Sequence, residues 1–441
     1  MHTLAQLTSG ELQQVTRLQI AENLTEFPRE IFELVDTLEI LDLSNNQLDC
    51  LPADFGRLQQ LKVVFLSNNQ FKQLPVVLSD CPKLEMIGFK ANSIVDVPES
   101  ALPKTTRWLI LTDNQIQKLP DSIGELGQLK KLMLAGNQLT ELPGSLSQCT
   151  NLQLMRISAN QLTSLPDWLF NMPRLAWLAF SGNPCSEYIG EIDSYAPAVR
   201  LSDIELYEQL GEGASGVIYR AEWINQPESL KGSSQQVAVK LFKGQVTSDG
   251  YPVDELSGCL TVGEHPNLVK VTAHISDNDQ LGLVMSLIPA NFYNLGLPPT
   301  LDTCTRDTFV DDLQLSLDEV VRIAYNIADT VDHLHEKGVC HGDLYAHNIL
   351  LDAETAVLLG DFGAASNFSS LLPDQVEALQ AFEVRAYGYL LEDLLGLAYD
   401  ARSNSELYAQ LMTIKNGCLQ SNVVSIPLFP AIKRQLQIIL C

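Results

Sequence analysis

At 441 residues with 46% apolar content, the chain is long enough for two or three domains, each with a core of its own. Its formal charge of −26 opposes binding to nucleic acid or an anionic membrane surface and favours basic partners. The charge is uneven: residues 1–200 hold 15 basic and 22 acidic side chains, net −7, and the remainder hold 13 and 32, net −19. The chain opens MHTLAQLTSGELQQV, without a basic segment leading into an apolar one, and no window approaches about 18 uninterrupted apolar residues. The nine cysteines are scattered with no CxxC pair. These features predict a cytoplasmic protein with reduced thiols and no membrane span.

From Leu38 the pattern L-x-x-L-x-L-x-x-N-x-L-x-x-L-P recurs, first as Leu38, Leu41, Leu43, Asn46, Leu48, Leu51 and Pro52. Further copies place their asparagine at Asn69, Asn92, Asn114, Asn137, Asn160 and Asn183, in steps of 22 or 23 residues. A degenerate copy with Asn23 precedes them, giving eight units. Leu41 and Leu43 alternate as in a short strand, and Asn46 stands where its amide can satisfy backbone groups of the adjacent turn. One unit cannot bury its leucines alone, so neighbours must stack. Residues 13–185 thus resemble a leucine-rich repeat solenoid. Its outward strand positions include Val63, Phe65, Trp108, Ile110, Met133 and Trp177, more apolar than a wetted surface requires. The expectation is a protein partner on the concave face. The alternative is that these aromatics pack within the protein. Residues 186–203 read as an end cap and linker.

Beyond Ile204 the character changes. IELYEQLGEGASGVIYRAEW places Gly211, Gly213 and Gly216 between two alternating apolar segments, a turn that lets backbone approach phosphates, and Val217–Trp223 continues as a strand. Next, Val237, Ala238 and Val239 form an apolar run that delivers Lys240. Residues 283–288 form another apolar run, residues 291–311 a loop insertion, and Leu317–Lys337 carries apolar residues at helical spacing. The stretch HGDLYAHNILLDAETAVLLGDFG (residues 341–363) then sets Asp343 five residues before Asn348, followed by Asp361 with Phe-Gly. One carboxylate can orient a hydroxyl while an amide and a second carboxylate hold Mg2+.

Taken together, residues 204–441 resemble the eukaryotic-type protein kinases, Ser/Thr or tyrosine-kinase-like. The fold expected is therefore α/β overall, a solenoid followed by a bilobal α+β kinase-like domain. The resemblance implies ATP and Mg2+ as cofactors and assigns roles by position. The glycine loop covers the phosphates, Ile218 lies over the adenine, Ala238 is a further nucleotide-binding position, and Lys240 contacts the inner phosphates. Glu255 pairs with Lys240, with Asp254 as the alternate. Met285 backs the adenine pocket, and the backbone near Leu287 bonds the base. Asp343 is the catalytic carboxylate, Asn348 and Asp361 ligate metal, and His341 is a core imidazole. Gly250, Pro252 and Gly258 predict a short or irregular helix around Glu255.

Three departures bear on activity. Gly342 stands where most relatives carry an Arg that receives a phosphorylated activation loop. Tyr345 stands where Ser/Thr kinases carry a Lys that neutralises the transferring phosphoryl group, and His347 substitutes only if protonated or donating. Only 19 residues, 364–382, separate Gly363 from Glu383, with no Ala-Pro-Glu motif. The expectation is a reduced Ser/Thr protein kinase whose repeats recruit a substrate or regulator. The rivals are a weak or inactive pseudokinase scaffold acting through the repeats, or a small-molecule phosphotransferase, since HGDL with a later Asn also resembles the aminoglycoside phosphotransferases.

Overall fold

The structure, a computed structural model, describes residues 1–186, 196–213, 215–244, 246–277 and 280–441. It forms two compact units: Met1–Arg174 with Asn183–Cys185, and Leu175–Gly182 with Ser186–Cys441. Half of the expected linker, residues 187–195, lies outside the described residues. The compact units part at a different place from the sequence boundary at 185, because the segment Leu175–Gly182 packs as part of the second unit.

In the first unit a short helix, α1 (Leu4–Thr8), precedes seven three-residue strands. These are β1 (Arg17–Gln19), β2 (Ile40–Asp42), β3 (Val63–Phe65), β4 (Met86–Gly88), β5 (Trp108–Ile110), β6 (Lys131–Met133) and β7 (Leu154–Arg156). Each pairs in parallel with the next, aligning Leu18, Leu41, Val64, Ile87, Leu109, Leu132 and Met155 in one fully buried column. The asparagines join neighbouring repeats. Asn69 Nδ2 donates to Leu66 O at 3.1 Å in its own turn and to Leu43 O at 3.0 Å one repeat earlier, while its Oδ1 accepts from Leu48 N at 2.9 Å. Asn46, Asn92, Asn114, Asn137 and Asn160 repeat this pattern. On the return path Pro75, Pro120 and Pro143, held near φ −65°, lead into short 3-10 turns.

Of the apolar stripe expected on the strands, Phe65, Trp108, Ile110 and Met133 are half-buried. The Lys131 ammonium lies 4.3 Å from the Trp108 ring centre. Val63 and Trp177 do not belong to that stripe: both are buried, Trp177 at 1% exposure inside the second unit.

The second unit begins with β8 (Trp177–Ala179) and β9 (Ala198–Val199). A sheet follows from β10 (Ile204–Glu212), β11 (Gly216–Trp223), β12 (Gln236–Phe242), β13 (Val271–Asp277) and β14 (Gln280–Ser286), in the order β10-β11-β12-β14-β13-β9. All neighbours are antiparallel except β9 with β13. Its core is Val199, Ile204, Ala221, Trp223, Val237, Val239, Ala273, Ile275 and Val284. Between β12 and β13 runs helix α2 (Pro252–Val262), eleven residues that begin on a proline at the first turn, where its missing N–H costs no hydrogen bond. Neither Pro252 nor Gly258 breaks it.

Helices dominate after residue 316. A Ser316/Glu319 capping box starts α3 (Leu317–Glu336), which buries Val320, Ile323, Ala324, Ile327, Val331 and Leu334, the helical stripe legible in the sequence. Small strands β15 (Tyr293–Asn294), β16 (Val339–Cys340), β17 (Ile349–Leu351), β18 (Val357–Leu359) and β19 (Ser366–Asn367) carry the chain to α4 (Pro373–Gly396), α5 (Ser405–Cys418) and α6 (Phe429–Leu440). Val423–Leu440 is long and apolar enough to cross a membrane by composition, with mean hydropathy 1.3. Its helical part is only the 12 residues of α6, which bury Phe429, Ile432 and Leu436, while Lys433 pairs with Asp329 at 2.7 Å and Asp332 at 2.8 Å.

Candidate active site

A cleft of about 830 Å³ in the second unit is lined by residues from β10 to Phe362. Gly211, Gly213, Gly216, Ile218, Ala238, Lys240, Glu255, Met285, Leu287, Asn348 and Asp361 all face it, so positions spread over 151 residues of sequence meet in one place. The glycine turn is closed by a Gly213 N–H bond to Gly216 O at 2.9 Å. Gly216 is required by close approach, since a Cβ there would lie 2.5 Å from Leu241 O.

Lys240 enters from β12, where it stands opposite Ile218 of β11 and Leu283 of β14. Its ammonium donates to Glu255 Oε1 of α2, and both side chains are buried. Burial opposes the charge on Lys240, yet Glu255 and then Asp361 hold its pKa above the ordinary lysine value. Burial also pushes Glu255 upward against the pull of Lys240. Asp254, the alternate partner considered from sequence, has no part in this pair, and burial raises its pKa to about 6. One helical step separates the two carboxylates, and only Glu255 lies on the face toward β12.

Around Asp343 the loop is held from both sides. Asn348 Nδ2 donates to Asp343 O and Oδ2, both at 2.9 Å, which fixes the carboxylate; the Asn348 carbonyl oxygen is the atom that would meet a metal ion. His341 is fully buried; its Nε2–H donates to Gly360 O at 2.9 Å and its Nδ1 accepts from Asp343 N at 3.3 Å. That is the core imidazole expected. Below the loop, Glu383 of α4 accepts from His341 N at 3.1 Å, Gly342 N at 2.8 Å and His335 Nε2 at 2.8 Å. Despite burial, His335, His341 and the Gly342 N–H keep the Glu383 pKa below the ordinary range. Asp361 sits in the left-handed region at φ 56°, with its Oδ1 accepting the Gly363 N–H at 3.2 Å. Such strain is retained where a side chain must be aimed.

These residues fit Mg2+ and a nucleotide. A buried cation faces the cleft beside an amide oxygen and a carboxylate, the hard oxygen ligands that Mg2+ takes.

Comparison with known proteins agrees with this geometry. The family model described as protein tyrosine and serine/threonine kinase matches residues 204–381. A leucine-rich repeat model matches residues 13–71, 36–94, 104–162 and 128–184. The chain joins leucine-rich repeats to a protein kinase domain. Among curated relatives it is 24% identical over 257 residues to the serine/threonine-protein kinase PITSLRE of Drosophila melanogaster, covering 56% of this chain and 24% of that one. It is 26% identical over 249 residues to cyclin-dependent kinase 11B of Mus musculus, 54% of this chain and 28% of the relative. To fibroblast growth factor receptor 1 of Xenopus laevis it is 26% identical over 166 residues, 36% of this chain and 20% of the relative. The chain therefore spans only a fifth to just over a quarter of the length of these relatives.

Within the kinase domain the departures have structural causes. Gly342 adopts φ 72°, and a Cβ there would lie 2.5 Å from Ala364 O and 2.8 Å from Leu178 O, so no side chain fits. Tyr345 is 5% exposed and turned away from the cleft, its ring stacked on Trp177 at 4.5 Å and 5°. Helix α4 starts at Pro373, ten residues ahead of Glu383, so the activation segment is shorter than the sequence implied, residues 364–372.

Sequence reasoning missed Asp307, in the insertion read as plain loop. Its Oδ1 bonds His347 Nδ1 at 2.7 Å and its Oδ2 accepts His347 N at 3.1 Å, fixing one wall of the cleft. Burial opposes charge on His347, but the Asp307 hydrogen bond raises its pKa above the ordinary value. Nor did the sequence flag Arg306, which pairs with Glu392 at 2.8 Å and with Asp393, and lies 4.9 Å from the Tyr389 ring centre. No spacing rule links these residues, whose partners stand 40 or more positions away.

Proposed function

We propose that the chain transfers the γ-phosphate of Mg-ATP to Ser or Thr hydroxyls of a protein, with the repeats as the protein-binding module. The observation that carries this reading is the joint placement, on one cleft, of the Lys240–Glu255 pair, Asn348 and Asp361, with the Asp343 carboxylate outside the lining but bonded to Asn348 Nδ2 at 2.9 Å. Lys240 holds the inner phosphates, and Asn348 and Asp361 hold Mg2+, which neutralises phosphate charge. Asp343 orients the acceptor hydroxyl and takes its proton. The relative named as a serine/threonine-protein kinase, PITSLRE, supports Ser/Thr acceptors over Tyr. A cytoplasmic setting suits the reduced thiols.

The test is transfer of labelled γ-phosphate to the chain itself and to basic proteins. Asp343→Asn should lower kcat by about a hundredfold or more while the Kd for Mg-ATP moves less than about threefold. Lys240→Met should weaken both. Loss of nucleotide affinity in Asp343→Asn would refute the role given to that carboxylate.

A second reading, a scaffold without transfer, draws on the Tyr345 ring turned away from the cleft and the nine-residue activation segment. Nucleotide binding without transfer would establish it.

A further inference from the structure

The segment Leu175–Gly182 touches four elements of the kinase domain. At its centre Trp177 is sandwiched between Tyr345 of the catalytic loop, at 4.5 Å and 5°, and Tyr389 of α4, at 5.4 Å and 18°. Its Nε1–H donates to Leu344 O at 3.0 Å. The stack extends at both ends, to Arg306 over Tyr389 and to His347, whose ring lies 5.1 Å from Tyr345 and borders Asn348. Towards the activation segment, the N–H groups of Phe180 and Ser181 both donate to Ser366 Oγ, at 2.9 and 3.1 Å. The backbone of Leu178 crosses Gly342, where any side chain would collide with it. On α4, Arg385 Nη1 donates to Leu175 O. At the far end Gly182, φ 68°, lies so close to α2 that a Cβ would stand 2.6 Å from Asp254 Oδ2, next to Glu255.

We propose that Leu175–Gly182 is a built-in strap that holds the catalytic loop, the activation segment and α2 in the arrangement that transfers phosphate, and that Trp177 is its positioning residue. The arrangement requires no phosphate on the activation segment. Ser366 is 1% exposed and its hydroxyl oxygen is the acceptor for two strap amides, so modification there would demand removal of the strap. With glycine at 342 the loop offers no cation at that position to receive a phosphate, and the strap backbone fills the space. Main-chain bonds and ring stacking do not depend on a modification state, so the clamp is permanent.

The inference rests on the kinase reading for its activity arm and stands apart from it in a second arm. In the full chain, Trp177→Ala should lower kcat by roughly tenfold to a hundredfold with KM for ATP changed less than about threefold, because loop placement and not nucleotide binding is disturbed. Trp177→Phe, which keeps a stacking ring, should recover most of the rate. Chain treated with phosphatase should keep its full rate. Independently of any transfer, Trp177→Ala should speed amide exchange at Leu344–Asn348 and at Ser366–Asn367, leaving the repeats unchanged. If Trp177→Ala does not fold, Ser366→Ala supplies the same two readouts. An unchanged rate and unchanged exchange in a folded variant, or loss of activity on phosphatase treatment, overturns the strap. Faster exchange in a chain that shows no transfer at all would uphold the strap and reject the kinase reading.

Discussion

Single residues show how burial decides what a carboxylate does here. Asp254 and Glu255 are neighbours, but Glu255 meets a buried ammonium and Asp254 does not. Asp254 consequently holds its proton more tightly in the folded protein than in the unfolded chain, with a pKa of about 6 against about 3.9, and is ionised at a cost above that. The sign follows: its contribution to stability is complete below about pH 3.9 and is lost as pH rises through about 6. Asp254→Asn should therefore raise stability at pH 7.5 by roughly 1–3 kcal/mol and leave it almost unchanged at pH 4. Urea denaturation at the two pH values measures the difference, and equal midpoints for the two proteins at pH 7.5 would count against a buried, raised carboxyl. The motif residues themselves, Lys240, Asp343, Asn348 and Asp361, were legible because each is tied to a fixed short pattern. Asp307 was not, because its partner His347 lies 40 residues away across an irregular loop.

Among the elements, the repeat strands and α3 were the most readable. Their periods, 22–23 residues for the array and a helical stripe in α3, are direct consequences of which residues must be buried. The asparagine in each repeat bonds its own turn and the one before, so its loss uncovers buried backbone in two repeats at once. Asn137→Ala would leave the Ile116 N–H without its acceptor and take from the Leu111 and Leu134 carbonyls one of two amide donors each, Asn114 and Asn160 supplying the others. We expect a loss of about 1–3 kcal/mol, against less than about 0.5 kcal/mol for an exposed position such as Thr140. A chemical denaturation midpoint that did not move in Asn137→Ala would show that the repeats are joined by their leucines alone. The start of helix α4 at Pro373 was not legible, since its first turns carry no repeating apolar stripe and the proline serves as a starter. Helix α2 was expected to be irregular for the opposite reason: Pro252 and Gly258 weaken propensity, but burial of Glu255, Leu256, Cys259 and Leu260 outweighs it.

For the whole molecule the division of the chain matters most. Residues 1–174 have a column of fully buried strand centres and a complete asparagine ladder, so the segment 1–200 should fold by itself with a cooperative unfolding transition in circular dichroism. The kinase domain is different. A fragment beginning at Ala196 lacks Leu175–Gly182 and uncovers Tyr345, Tyr389 and Ser366, whereas one beginning at Leu175 carries the strap. Loss of a buried Trp alone costs about 3–5 kcal/mol, so the shorter fragment should unfold at a clearly lower urea concentration than the longer one. Equal midpoints would place Leu175–Gly182 outside the kinase core.

The sequence by itself determined the repeat architecture, the kinase fold of the second half and the residues that gather at the cleft, because short-range periodicity and motif spacing record local burial and local chemistry. Only the tertiary structure decided which of two adjacent carboxylates meets Lys240, why no side chain is tolerated at 342, and that the last repeat strand packs with the kinase domain. Those outcomes depend on contacts such as Trp177 with Tyr345 and Phe180 with Ser366, between residues 168 and 186 positions apart. No local pattern encodes a contact at that separation. It is set by which surfaces are buried together once each element has formed.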